Sequence, residues 1–323
     1  MSFEHPNRNN ESMIDVERDI MSRPSERNTT NLDLQRMKMI LDIMGHPEQS
    51  FRVIHITGTN GKGSTAHLEH VNERIAIDGQ QLSDDDFVDT WDQIKDLVAM
   101  VDMKMEELDK PKMSFFEVLT AMAIWKFADA PVDVAIVEVG MGGRWDATNV
   151  LDADAAIIGP IDMDHMAWLG NTVEQIASEK VGIIKPGCTA VIGRQPHEEA
   201  VMPIIEEAAR QNHANLVRDG IEAEVVTRIP AVGGQVATLR TPNGTYTEVP
   251  IAKFGEHQAH NALAALCAAE VVIPVNGALD GDLVAEALST VRIPGRIEQI
   301  RTSPTIILDG GHNVNAAESL RAA

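Results

Sequence analysis

The stretch FRVIHITGTNGKGST, residues 51–65, decides how this chain is read. A β-rich apolar run stops at a glycine-rich turn, Gly58-x-x-Gly61-Lys62-Gly63-Ser64, and Thr65 follows. Such a turn offers backbone N–H groups, an ammonium and a hydroxyl to phosphates. The spacing departs from the standard Walker form, because Gly58 sits too close to Gly61-Lys62. A solvated hairpin turn with an incidental lysine is the competing reading. The strand in front and Lys-Gly-Ser-Thr behind argue against it.

Outward from this turn, the pattern alternates strands and helices. The spacing predicts helices over 31–44, from Ser83 onward, and from Ser114, where Ser114 and Glu117 form a capping box. Short apolar strands follow at 132–139, 153–158 and 189–192, with helices at 172–182 and 197–212. Nearly continuous apolar strands between helices imply a parallel, doubly wound α/β sheet. Segments 224–228, 236–240 and 245–251 are antiparallel in character, with Asn243-Gly244 as a hairpin turn. They are expected as a small appended antiparallel sheet. Helices over 257–272 and 283–289 precede Pro294-Gly295, which reads as a hinge before a strand at 305–308.

Composition limits the function classes. The 323 residues carry 44% hydrophobic and 24% charged residues, so the chain folds around a sizeable core. A net charge of −22 argues against nucleic-acid and anionic-membrane partners. Cys188 and Cys267 lack partner spacing and read as buried thiols of a reducing compartment. Residues 1–12 lack a signal pattern, and the apolar run 262–275 is too short to span a bilayer. A cytoplasmic protein is expected.

Ligands of parallel sheets collect at the carboxyl ends of the strands. Glu138 stands at such an end, before Gly140-Met-Gly-Gly-Arg144 and Asp146-Ala-Thr-Asn149. A carboxylate in an apolar strand is costly unless paired or metal-bound. A salt bridge to Arg144 is its plain structural alternative. His165 closes the next strand's end, in Asp162-Met-Asp164-His165. A glutamate and an imidazole beside a phosphate turn suit a divalent ion shared with phosphate oxygens. Lys180 ends a helix, where a cation also favours the helix dipole. Lys185 reads as an exposed loop cation. Gly255-Glu-His257-Gln258-x-x-Asn261 opens a helix with hydrogen-bonding groups suited to a base or phosphate. Arg296, Asp309 and His312 flank the hinge and could close over a nucleotide.

Together these motifs resemble the Mur ligase superfamily and, within it, the folylpolyglutamate synthase/dihydrofolate synthase family. The matching residues are GTNGKGST (58–65), SFFE (114–117), EVGMGGRWDATN (138–149), DMDH (162–165), SEKVGIIKPG (178–187), GEHQAHNA (255–262), PGR (294–296) and LDGGHN (308–313), in family order. The resemblance implies an ATP-dependent amide ligase of folate biosynthesis and one-carbon metabolism. It would add L-glutamate to dihydropteroate or to the γ-carboxylate of a folate through an acyl phosphate. On that resemblance Gly58, Thr59, Asn60, Gly61, Lys62, Gly63, Ser64 and Thr65 hold the ATP phosphates, and Asn261, Arg296, Asp309 and His312 contact ATP. Ser64, Glu138, His165 and a carbamylated Lys180 bind magnesium, with potassium a further candidate cation. Lys62, Glu138, His165 and Lys180 form the catalytic set. Ser114, Phe115, Phe116 and Glu117, with Asp146, Ala147 and Thr148, line the pteroate pocket. A monomer acting on small molecules is expected. Residues 1–30 would be a tail with a short helix, 31–296 the ATP-binding central domain, and 297–323 the start of a truncated C-terminal ligase domain.

Two departures stand out. After Ala66 the chain goes straight to His67-Leu-Glu-His-Val-Asn-Glu-Arg-Ile75. A βαβ crossover needs at least about 10–12 residues, so a helix and its return strand are missing. The family's Ser-Pro-His-Leu motif survives only as His67-Leu68, and its magnesium-binding serine has no counterpart. The chain also ends early in the expected C-terminal domain. Two alternatives therefore remain beside the ligase: a relative that binds nucleotide or folate with weak or no turnover, and another Mur-type amino acid ligase. A P-loop kinase would require the full Walker spacing.

Overall fold

The computed structural model describes residues 12–25, 33–59, 71–163, 166–291, 298–303, 305–309 and 321. The chain divides into two units, Met1–Phe51 with His67–Asp133, and Arg52–Ala66 with Val134–Ala323.

The first unit is helical. It comprises α1 (Met13–Met21), α2 (Gln35–Met44), α3 (Asp84–Glu107) and α4 (Phe115–Asp129), with a small hairpin, β2 (Ala76–Ile77) and β3 (Gln80–Gln81). Helix α3 starts where its sequence places it. The Ser83 side chain accepts from the Asp86 N–H, and Asp84, Asp85 and Asp86 fill the first turn at the positive end of the dipole. Its stripe of Phe87, Ile94, Val98, Val101 and Met105 is fully buried, as the helical period requires. Helix α2 begins at Gln35 rather than Asn31, because Asp33 Oδ1 accepts from the Gln35 N–H at 3.0 Å. Gly45 ends it in the left-handed conformation.

The second unit is the α/β part. Strand β1 (Arg52–Thr57) lies between β4 (Val134–Glu138) and β5 (Ala155–Ile158); β6 (Thr189–Ile192) and β7 (Asn215–Arg218) complete a parallel sheet of order β4-β1-β5-β6-β7. Strand β7 escapes the sequence pattern because it is a four-residue edge strand with polar ends. Ala156, Ile158, Ala190 and Ile192 pack on one face with Ile176 of α6 (Val173–Lys180) and with Val201 and Ile205 of α7 (Glu198–Gln211). On the opposite face Ile54, Ala155, Ile157 and Val191 pack with α8 (Glu256–Val272) and an antiparallel sheet. That sheet consists of β8 (Glu224–Ala231), β9 (Gly234–Arg240) and β10 (Thr245–Ile251), with the Asn243-Gly244 turn between its last two strands. Strands covered on both faces explain the continuous apolar runs. Short helices α5 (Met166–Leu169) and α9 (Gly281–Thr290) and an antiparallel pair, β11 (Glu298–Thr302) and β12 (Thr305–Leu308), complete the elements used below. No helix among the described residues is long and apolar enough to cross a membrane. Cys188 and Cys267 are free and buried, and burial pushes both thiol pKa values up, that of Cys267 to about 12.

Candidate functional site

Three strand ends and one helix end are tied together at the carboxyl edge of the parallel sheet. Glu138, the last residue of β4, stands in register with Ile56 of β1, and Thr57 with Ile158 of β5. Beyond the strands, the Thr57 hydroxyl donates to the Gly142 carbonyl at 2.7 Å, in the loop after β4. The Thr59 N–H donates to Pro160 O at 2.8 Å and its hydroxyl to Asp162 O at 2.9 Å, in the loop after β5. Thr59 Oγ1 accepts in return from the Asp162 N–H at 3.0 Å. Gln195 braces the same loop, donating to Gly159 O and Gly193 O and accepting from the Ile161 N–H. The start of the glycine-rich turn is thus held by both neighbouring loops.

Lys180 reaches this edge from the C-terminus of α6. Its side chain is fully buried, and Nζ donates to Gly58 O at 2.9 Å. Two glycines let its helix approach. A Cβ on Gly143 would lie 2.8 Å from the carbonyl oxygens of Glu179 and Lys180, and one on Gly182 would lie 2.5 Å from Arg144 Cα. In that contact the Arg144 N–H donates to Glu179 O at 2.9 Å and Arg144 Nη2 to Ser178 O at 3.0 Å. Arg144 therefore serves the α6 end, where its guanidinium also sits 3.8 Å from Glu179. Burial raises the Glu179 carboxyl pKa, and the arginine opposes the rise.

The Gly140–Asn149 loop is closed from within. Asp146 Oδ2 accepts from the Met141 N–H at 2.8 Å and Oδ1 from the Thr148 N–H at 3.0 Å. Thr148 Oγ1 lies 2.5 Å from Asp146 Oδ1 and 2.8 Å from Nε2 of His55 in β1. Burial raises the Asp146 pKa against the hydrogen bonds that lower it. Burial, with a smaller effect from the Lys185 charge, holds His55 down at about 3. Lys185 is not the exposed loop cation its sequence suggests, because its Nζ donates to Asn149 O at 2.6 Å and is partly buried there.

Beside this edge, in the same unit, lies a cavity of about 500 Å³, lined among others by Ile56, Ile157, Lys253, His257, Gln258 and Asn261. The start of α8 forms one wall. Buried Gln235 fixes that start by donating to Lys253 O and Gly255 O, each at 2.9 Å. Asn261 Nδ2 donates to Gln258 Oε1 at 3.3 Å, so the polar pair presents one surface. Apolar walls with a few convergent amides suit a flat heterocycle.

In the helical unit, Ser114 and Glu117 make the expected capping box at the start of α4. Arg36 Nε donates to both Glu117 oxygens, at 3.0 and 2.9 Å, so that carboxylate is fully engaged. Phe115 and Phe116 are the half-buried members of the motif, and the Arg74 guanidinium lies 5.9 Å from the Phe115 ring centroid. Asp309 follows β12 and is half-buried. Asn60, Gly61, Lys62, Gly63, Ser64, Thr65, His165, Arg296 and His312 lie outside the described residues, as does the gap expected after Ala66.

The donor set can be weighed against a divalent cation. Among the described residues no group of three or more His, Cys, Asp or Glu side chains is placed to hold a metal ion. Magnesium takes one or two carboxylates and leaves other positions to phosphates and water. Glu138, exposed at the end of β4, fits that pattern.

The Mur ligase middle domain family matches residues 56–269. This chain belongs to the Mur ligase family. Within it, the chain falls in the folylpolyglutamate synthase/dihydrofolate synthase branch. It is 42% identical to a dihydrofolate synthase/folylpolyglutamate synthase of Mycobacterium tuberculosis, over 89% of this chain and 65% of that protein. It is 35% identical to the Bacillus subtilis protein of that name, over 89% and 70% of the two chains. A solved Mycobacterium tuberculosis folylpolyglutamate synthase, complexed with ADP and AMPPCP, superposes with a TM-score of 0.86 at 41% identity, over 96% and 72% of the two chains. A folylpolyglutamate synthase complex with AMPPCP and folate gives 0.87 at 26% identity, over 97% and 80%. This Mur ligase chain thus spans about two thirds of the length of its first relatives.

Several residues of the site carry weaker sequence signals. His55 interrupts an apolar strand just as Glu138 does, and the same cost of burying a polar group could have marked it. Arg36 and Gln195 act through side-chain hydrogen bonds that reach residues far along the chain, Glu117 and the Gly159–Ile161 loop, which spacing does not reveal.

Proposed function

We propose that this chain is an ATP-dependent amide ligase that adds L-glutamate to dihydropteroate or to the γ-carboxylate of a folate. The observation that carries the reading is the buried Lys180 amine on the Gly58 carbonyl, with Glu138 at the end of β4 one strand away. The relatives' names support the folate substrate, and the nucleotide complexes among them support ATP.

The chemistry starts from two anions. A carboxylate oxygen of the pteroate or folate attacks the γ-phosphorus, and ADP leaves. The glutamate amine then attacks the acyl carbon, phosphate departs, and the amine proton passes to solvent. The protein's task in the first step is to place these anions together and offset their repulsion. Lys62 and the amides of residues 58–65 would hold the phosphates. The ties from Thr57 and Thr59 fix the start of that turn. The cavity beside Asn261 and Gln258 would take the base. Arg296, Asp309 and His312 would contact ATP. Ser114, Phe115, Phe116 and Glu117 would contact the pteroate, as would Asp146, Ala147 and Thr148.

Glu138, His165, Ser64 and carbamylated Lys180 would hold magnesium, with potassium as a further cation. Magnesium, when bound, neutralises charge on the phosphates during transfer. Carbamylation fits the observed geometry: a carbamate on Nζ keeps one N–H, which can still donate to Gly58 O, while its carboxylate adds a hard oxygen ligand.

A second reading is favoured by one observation. The alignment with the Mycobacterium tuberculosis relative runs over 318 residues yet takes in only 89% of this chain, so it passes over positions with no counterpart here. A chain lacking them could bind nucleotide or folate with little or no turnover. One experiment separates the two readings. Phosphate release is followed with ATP, magnesium, L-glutamate and either dihydropteroate or tetrahydrofolate, and the product is read by mass spectrometry. Release that needs both acceptor and glutamate supports the ligase. Calorimetric binding of ATP without release supports the second reading. Binding of neither ATP nor pteroate overturns both.

A further inference from the structure

His55 is a fully buried imidazole in the middle of a sheet, in register with Val137 of β4 and Ala156 of β5. A valine would suit that place without cost. The hydrogen bonds assign its proton. Both oxygens of Asp146 accept backbone N–H groups, so this carboxyl group acts as an acceptor. The single Thr148 hydroxyl proton points to Asp146 Oδ1 at 2.5 Å. Thr148 Oγ1 must then accept from His55 Nε2, 2.8 Å away. His55 is therefore the neutral Nε2–H tautomer, and its buried Nδ1 has no hydrogen-bond partner among the described residues. The opposite polarity would bury an unpaired N–H, which proteins avoid more strictly than an unpaired acceptor.

The chain His55→Thr148→Asp146 ends on the Met141 N–H, three residues beyond Glu138. Thr57, two residues after His55 and on the same side of β1, donates to Gly142 of the same loop. Strand β1 leads to the phosphate turn and β4 leads to Glu138, so two rivets join the paths that carry them.

We propose that His55 is a positioning residue: through Thr148 and Asp146 it sets the Gly140–Asn149 loop so that Glu138 receives the divalent cation of a bound nucleoside triphosphate. This rests on the nucleotide reading above. His55 touches neither cation nor nucleotide. It acts as a directional donor, which a buried apolar side chain of equal size cannot replace.

The test uses the full chain and two readouts. The first is the ¹⁵N NMR spectrum of the His55 ring, where the Nε2–H tautomer is expected at neutral pH; an Nδ1–H tautomer overturns the proposal. The second is calorimetric affinity for ATP with magnesium and with a chelator. The wild-type chain is expected to gain affinity with magnesium. His55→Leu is expected to lose about tenfold of that gain, or more, with its chelator affinity unchanged. His55→Gln, whose amide N–H can reach Thr148, is expected to keep most of it. Thr148→Val removes only the hydroxyl link and is expected to follow His55→Leu, which keeps the test decisive if His55→Leu folds poorly. A magnesium gain retained in both apolar variants overturns this proposal alone. A wild-type chain with no gain overturns the cation reading and the proposal with it.

Discussion

Lys180 Nζ and Gly58 O lie 2.9 Å apart in the interior, joining the C-terminus of α6 to the first residue of the glycine-rich turn. A buried amine is expensive in the folded chain, so stability does not explain it. Lys180→Met, which keeps the apolar stem, is expected to leave the melting temperature unchanged or raised. It should weaken magnesium-nucleotide affinity by about 10- to 100-fold, because the proposed carbamate ligand and its tie to Gly58 O are lost together. Calorimetry beside a thermal melt separates the two effects. Unaltered affinity in the methionine variant removes Lys180 from the nucleotide site.

The contact that brings Lys180 into place depends on missing side chains. At Gly182 a methyl group would meet Arg144 Cα at 2.5 Å, a backbone atom with little freedom to move. Gly182→Ala should therefore cost about 1–3 kcal/mol in urea denaturation, the range for overpacking. Gly281→Ala is the control, because nothing lies within 4 Å of its new Cβ at the start of α9. That change should be neutral or stabilising by about 0.5–1 kcal/mol, since alanine suits a helix better. Equal losses at both glycines would contradict this account of the α6 docking.

Much of this was legible in the sequence, for identifiable reasons. The buried stripe of α3 and the Ser114–Glu117 capping box follow from local periodicity and cap chemistry, which act within one or two turns. The parallel strands follow from apolar runs that only two-sided burial permits. The side-chain ties at the sheet edge were less accessible. Lys180 reads as an ordinary helix C-terminal cation until the fold places Gly58, 122 positions earlier in the chain, against it. Arg36 meets Glu117 across 81 positions, and His55 meets Thr148 across 93. Periodicity carries no information at such separations. Only the tertiary fold brings these partners together: the laying of β1 between β4 and β5 for His55, the docking of α6 at that sheet's edge for Lys180, and the pairing of α2 with α4 for Arg36.

His55 also sets an acid limit. Its pKa falls from the usual 6.5 to about 3 in the folded chain, chiefly through burial and next through the Lys185 charge. The unfolded chain therefore takes up this proton more readily. Its contribution is fully present above about pH 6.5 and is lost as pH falls toward 3. Across that window the loss is on the order of 4–5 kcal/mol. Asp146, with its pKa raised by burial, works in the opposite sense, since its protonation favours the folded chain as pH falls. Urea denaturation of wild type and His55→Gln across this range should show the wild type losing stability more steeply. Parallel curves would mean that His55 is not held neutral.

Tyr246 offers a direct spectroscopic check, because it is the only tyrosine in the chain. Its hydroxyl donates to Glu270 Oε1 at 2.7 Å and accepts from the Leu279 N–H at 2.7 Å. Glu270 also takes the Thr241 hydroxyl at 2.9 Å and Asn243 Nδ2 at 3.1 Å, which explains a glutamate within the apolar run of α8. It fastens the β9–β10 turn to that helix. Burial, reinforced by the bond to Glu270, raises the phenol from 10 to about 12. The folded chain holds this proton longer than the unfolded one, so the contribution is complete below about pH 10 and disappears as pH rises through 12. An ultraviolet titration should therefore show phenolate only near the upper value, and Glu270→Ala should bring it forward. The same variant should lose about 1–3 kcal/mol in urea, from the donors it leaves unpaired, while Glu270→Gln retains an acceptor and loses less. A phenol that ionises normally in the folded wild type would show that Tyr246 does not hold this bond.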